Sequence, residues 1–118
     1  MGDDYTVVPV PGLPWLTEVR LYDETLEHIA AAHSEFRLQM PSQRTALEDA
    51  VANPNLIHIS TTDPQNSVVF VSESFTYLGD PVVMPIKHVE GTTSGRIATA
   101  YFSGDAYRGR ILWSAGNE

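Results

Sequence analysis

Cysteine is absent from the 118 residues, which excludes disulfides, zinc–thiolate sites, iron–sulfur clusters and cysteine nucleophiles. A chain without it suits a reducing compartment, and a cytoplasmic location is expected. Basic residues are scarce: seven lysines and arginines stand against fifteen acids, for a formal net charge of −8. Affinity for nucleic acid rests mainly on neutralising phosphates, so the surface as a whole is not expected to bind RNA or DNA non-specifically. No apolar run approaches the roughly 20 residues that cross a bilayer, so no membrane partner is expected. The N-terminus has neither the basic region nor the apolar stretch of a signal peptide. Nucleophile elbows, P-loops and Gly-x-Gly-x-x-Gly turns are also missing. Any catalysis is therefore expected from side chains alone, with no metal and no cofactor.

The charge that is present is unevenly spread. Residues 1–60 hold nine acids and three bases, whereas residues 61–118 hold six and four. Between Lys87 and Arg110, four bases face only Glu90 and Asp105. A local phosphate site is expected there if anywhere.

Pro9, Pro11, Gly12 and Pro14 predict a mobile arm over 1–14, followed by a single domain over 15–118. Trp15–Tyr22 reads as a first strand. Asp23 is a candidate N-cap, and Leu26, Ile29, Ala30 and His33 keep the spacing of one helical face. A second helix starts after Ser42, carries Ala46, Leu47, Ala50 and Val51, and stops at Asn53-Pro54. Beyond Pro54, five β-branched or aromatic runs alternate with turn residues: Leu56–Ser60, Ser67–Ser72, Val82–Val89, Arg96–Phe102 and Gly109–Trp113. Helices followed by strands predict an α+β fold, with two N-terminal helices packed on a four- to five-stranded antiparallel sheet.

His28 and His33 are five residues apart, about 500° of helix, so their rings diverge by about 140° and make poor metal co-ligands. His28 is expected towards solvent and His33 towards the sheet, where a last-turn histidine suits proton exchange or simply a satisfied core contact. In Arg96–Phe102, uninterrupted alternation puts Ile97, Thr99 and Tyr101 on one face, with Arg96, Ala98, Ala100 and Phe102 on the other. Thr99 and Tyr101 could wall a phosphate site or face solvent. Lys87 and His88 point to opposite faces of their strand. Trp113 reads as a core plug or a stacking platform.

Taken in order, these landmarks resemble a known group. They are His28-Ile29-Ala30-Ala31-Ala32-His33-Ser34-Glu35, then Ala46-Leu47 through Val51 to Pro54-Asn55-x-Ile57, then Arg96-Ile97-Ala98-Thr99-Ala100-Tyr101, and last Gly109–Trp113. Together they look like the small phage-associated nucleases of the barnase–EndoU–colicin–RelE-like superfamily, over roughly residues 18–113. His33-Ser34-Glu35 stands where that group often has His-Pro-Glu.

The resemblance implies a metal-independent endoribonuclease of toxin or effector type, with RNA, including tRNA, as substrate. A ribose 2′-hydroxyl would attack the adjacent phosphate and leave a 2′,3′-cyclic phosphate. His33 would transfer protons, Thr99 and Tyr101 would orient phosphate or share that transfer, and Lys87 or Arg96 would neutralise charge. A cognate immunity protein is a possible partner. The alternative is a non-catalytic inhibitor or adaptor on the same scaffold, whose acidity would suit a basic protein partner.

Overall fold

The computed structural model describes residues 4–33, 35–36, 43–105 and 109–115. Ser42, the expected cap of the second helix, lies outside them. The elements run β1 (Tyr5–Leu13), β2 (Leu16–Tyr22), α1 (Asp23–Ala32), α2 (Gln43–Ala52), β3 (Leu56–Ile59), β4 (Ser67–Tyr77), β5 (Asp80–His88), β6 (Ser94–Ile97), β7 (Tyr101–Phe102) and β8 (Ile111–Ser114). One sheet of eight strands results, ordered β1-β2-β6-β5-β4-β3-β8, with β7 set beside β5. Every pairing is antiparallel except β2 with β6.

This corrects the expected fold. The helices do not form an N-terminal layer on a small antiparallel sheet; two strands precede them, and the sheet curls into a half-barrel. Strand accounts for 49% of the described residues against 22% helix, so the sheet, not the helices, organises the core. The main cause of the misreading is β1. Pro9 and Pro11 suggest a loose arm, yet proline is tolerated on an edge strand, where a missing N–H breaks no internal ladder. Residues 5–9 pair in register with β2, and Val8 sits inward opposite Val19.

Irregular pairing helps the sheet to curl. Register shifts fall between Pro9 and Leu13, between Ile57 and His58, and between Ser72 and Thr76. Each extra residue bends its strand and increases local twist. The curl brings the two edge strands together where Gly12 meets Trp113. A Cβ on Gly12 would lie 2.4 Å from the indole, and its φ of +97° also favours glycine. Trp113 thus fills the seam between β1 and β8.

The concave side holds the core, including Val19, Leu21, Phe70, Met84, Ile86 and Ile97. Helix α2 buries Leu47, Ala50 and Val51 against it, the stripe expected from their spacing. A fully buried Leu or Val contributes about 1.5–3 kcal/mol, which a ten-residue helix needs because it is marginal alone. Asn53 ends the helix by bonding the Asp49 carbonyl through both its backbone N–H and its side-chain amide. Helix α1 buries Leu26 and Ile29 and exposes His28. Tyr22, not Asp23, is its N-cap residue, and no side chain caps it. Asp23 instead pairs with Arg44, which also donates to Thr6 Oγ1 at 3.0 Å and so ties α1, α2 and β1 together.

Candidate functional site

The expected catalytic residues lie around the β6–β7 segment. Ile97 pairs with Ile86, but Tyr101 pairs with Val83. Residues 98–100 therefore oppose only Met84 and Pro85, one residue too many for simple alternation. Beyond this bulge the faces exchange. Ile97 and Ala100 are both fully buried in the core, and Phe102 packs there too. Tyr101 turns to the convex face, against Val69, Val71 and Val83. Thr99 is half-buried within the bulge, so the alternation that joined it to Ile97 and Tyr101 does not hold.

His33 follows the last helical residue of α1. Its N–H donates to the Ile29 carbonyl at 2.9 Å, and its own carbonyl accepts from Phe36 at 3.0 Å. The half-exposed ring lies 6.4 Å from the Tyr101 ring and 6.3 Å from that of Phe36, centroid to centroid. His33 and Tyr101 therefore meet at the sheet margin.

Lys87 and Arg96 are exposed and directly opposed on β5 and β6. By the strand pleat they share the convex face with Tyr101, contrary to the expected separation of Arg96 from it. They stand well along the strand, however. Lys87 and Val83, the partner of Tyr101, are four residues apart, about 13 Å. Lys87 also pairs with Asp63 at 3.8 Å.

Arg20 extends this cation row, because parallel pairing sets it beside Arg96. Its guanidinium lies 5.2 Å from the Tyr5 ring centroid. A hydrogen bond to the Tyr22 hydroxyl is the main cause that pushes its pKa above the ordinary arginine value. No local pattern announces Arg20, since its neighbour is 76 residues away along the chain.

A second site occupies one mouth of the curled sheet. A cavity of about 280 Å³ opens there between the β1–β2 turn, the β3–β4 turn, the end of β5 and the start of β8. Trp15, Gln65, His88 and Arg110 supply its chemistry, over an apolar floor that includes Val68 and Leu112. The Trp15 and His88 rings meet edge to face, with centroids 5.7 Å apart and planes at 85°. His88 Nε2 lies 2.7 Å from the Thr92 carbonyl, which only accepts, so Nε2 carries the hydrogen. Among the described residues, no Asp or Glu lines the cavity.

The β3–β4 turn that walls this mouth is organised by Asp63. Its carboxylate accepts from Ser67 Oγ at 2.9 Å and from Asn66 Nδ2 at 3.1 Å. Those bonds, Ser67 first, with help from Lys87, hold its pKa below the usual carboxylate value. Arg110 is positioned through its backbone, whose carbonyl accepts from Ile59 N–H at 2.9 Å. Sequence reading set His88 on the strand face opposite Lys87 but linked it to none of the other three. Acids gather elsewhere: Asp4, Asp23, Glu24 and Glu27 line a shallow depression beside α1.

No protein-family model matches the chain, and neither a curated protein nor a solved structure is significantly similar to it. Among the described residues, no helix is long and apolar enough to cross a membrane.

Proposed function

We propose that this chain is a non-catalytic binding protein that receives its ligand in the mouth bounded by Trp15, Gln65, His88 and Arg110. The observation that carries this reading is the distance along the strands between the groups that phosphoryl transfer would need. A proton shuttle and a phosphate-neutralising cation must both reach one phosphodiester, within hydrogen-bond range or through one water. His33 and Tyr101 lie at one end of the convex face, and Lys87 with Arg96 lie about 13 Å further along. The mouth, by contrast, is concave, apolar at its floor and edged by a few polar groups, which is the usual composition of a ligand site.

Of the sequence alternative this reading keeps only the absence of catalysis; the protein partner and the helix-on-sheet scaffold expected with it are not carried over. The test is incubation of total RNA or tRNA with excess protein in EDTA, beside the His33→Ala variant. The binding reading expects intact RNA in both. Cleavage by the wild type that His33→Ala abolishes, with cyclic phosphate ends, would overturn it.

That outcome would favour the endoribonuclease reading, for which one observation speaks. The contact of His33 with Tyr101 sets an imidazole beside a phenol at a half-open margin. Against it stands the acidic first turn of α1, the helix that leads into His33, which would repel a phosphate backbone.

A further inference from the structure

We infer that the mouth selects a small organic anion: a carboxylate or phosphomonoester carried on a single flat, apolar body. This rests on the binding reading above and names the ligand class of that site.

The anionic half follows from the donors. Arg110 is exposed at the rim, and its planar fork matches two oxygens of a carboxylate or phosphate at once. Gln65 adds a side-chain amide beside it, while the His88 Nε2 hydrogen is already given to the Thr92 carbonyl. Two other polar neighbours are already committed, because Asn66 Nδ2 and Ser67 Oγ both donate to Asp63. Asp63 is held within the turn by these bonds, and among the described residues the cavity lining holds no acid. A chain of net charge −8 thus presents a concave surface edged by the Arg110 guanidinium. A cationic ligand would find no counter-charge among the described lining residues, whereas an anion finds a bidentate partner in Arg110.

The flat half follows from shape. Trp15 is 42% exposed, and its indole meets the His88 ring edge to face. Ile59, Val68 and Leu112 supply aliphatic surface in the same cavity. An aromatic ring gains from both kinds of surface, by stacking or edge contact with indole and by dispersion against the aliphatic groups. Size sets the limit. A dry cavity of about 150 Å³ is enough to hold benzene. The 280 Å³ here accommodates one ring with its anionic group and falls below the usual range for drug-sized molecules. A nucleic-acid strand or a folded partner would be too large to enter.

The test is titration calorimetry with five probes: phenyl phosphate, benzoate, inorganic phosphate, phenol and benzylamine. Phenyl phosphate or benzoate, or both, should saturate one site. Their difference tells phosphate from carboxylate as the preferred group. Inorganic phosphate and phenol should each bind at least about tenfold more weakly than the better of the two, and benzylamine not measurably. Arg110→Gln should weaken the better probe by about tenfold or more, with Arg110→Lys between it and the wild type. Arg96→Gln, on the convex face, should bind as the wild type does. If phenol or benzylamine binds as well as the anions, or if Arg110→Gln binds unchanged, the anion class is wrong while the mouth remains a binding site. If no probe binds the folded protein, both the ligand class and the binding reading fall.

Discussion

Ala98 and Ala100 offer a direct probe of the bulge that breaks the expected alternation of Thr99 with Tyr101. Uninterrupted alternation would set the two alanines on one face, so the same substitution would cost the same at each. In the curled sheet Ala98 is exposed, although its N–H still donates to the Pro85 carbonyl at 2.9 Å, while Ala100 is 0% exposed within the core. Glutamine at position 98 keeps that backbone bond and projects into water, so Ala98→Gln should change stability by no more than about 0.5 kcal/mol. At position 100 the side chain must enter a packed interior. Overpacking costs about 1–3 kcal/mol, and an amide buried without partners costs about 1–3 kcal/mol more. Ala100→Gln should therefore lose roughly 2–6 kcal/mol, a large share of the 5–15 kcal/mol that holds a typical domain folded. At about 4 °C per kcal/mol for a chain of this size, its Tm should fall by roughly 8–24 °C. Urea denaturation followed by circular dichroism, backed by a thermal scan, measures both variants. Equal losses at the two positions, within about 0.5 kcal/mol, would refute the bulge and restore Thr99 and Tyr101 to one face.

Three further outcomes are expected. Gly109→Ala should destabilise by about 3 kcal/mol in chemical denaturation, the upper end for overpacking, because a Cβ there would lie 2.0 Å from the Ile59 carbonyl oxygen, which is backbone and cannot swing aside. Asp63 has a folded-state pKa below its unfolded value, so its stabilising contribution is complete above the ordinary carboxylate range and is lost as pH falls through the depressed value. Asp63→Asn should accordingly flatten the acid limb of stability against pH, measured by thermal melts from about pH 6 down to about pH 2; an unchanged limb would contradict the role given to Ser67 and Asn66. Tyr101→Phe should leave the melting curve within about 0.5 kcal/mol of wild type, since the ring's packing on Val83 survives loss of the hydroxyl.

What the sequence reveals here depends on how local each cause is. The α2 stripe of Leu47, Ala50 and Val51 was readable because helical periodicity needs only neighbours within two turns. The strand character of β3, β5 and β8 was readable from β-branched runs bounded by turn residues, with ends off by a residue or two. β1 was hidden because Pro9 and Pro11 have two meanings, arm or edge strand, and only pairing with β2 decides between them. The β6–β7 bulge was hidden for a different reason. Arg96–Phe102 gives no local sign of the extra residue, which appears only when the segment is laid against β5. At the margin, the His33 ring lies 6.4 Å from that of Tyr101, and His33 stands one residue beyond the helix. The mouth was least legible. Its four main groups come from residues 15, 65, 88 and 110, and sheet curvature alone gathers them.

The most direct test of the binding mouth is a two-dimensional ¹H–¹⁵N NMR titration of the full chain with phenyl phosphate. Binding in the mouth predicts saturable shifts at the Trp15 indole N–H and at the amides of Gln65, Asn66 and Arg110, with Arg96 and Tyr101 unmoved. Shifts centred on Tyr101, Arg96 and His33, with the Trp15 indole unmoved, would contradict it and return the phosphate to the convex face.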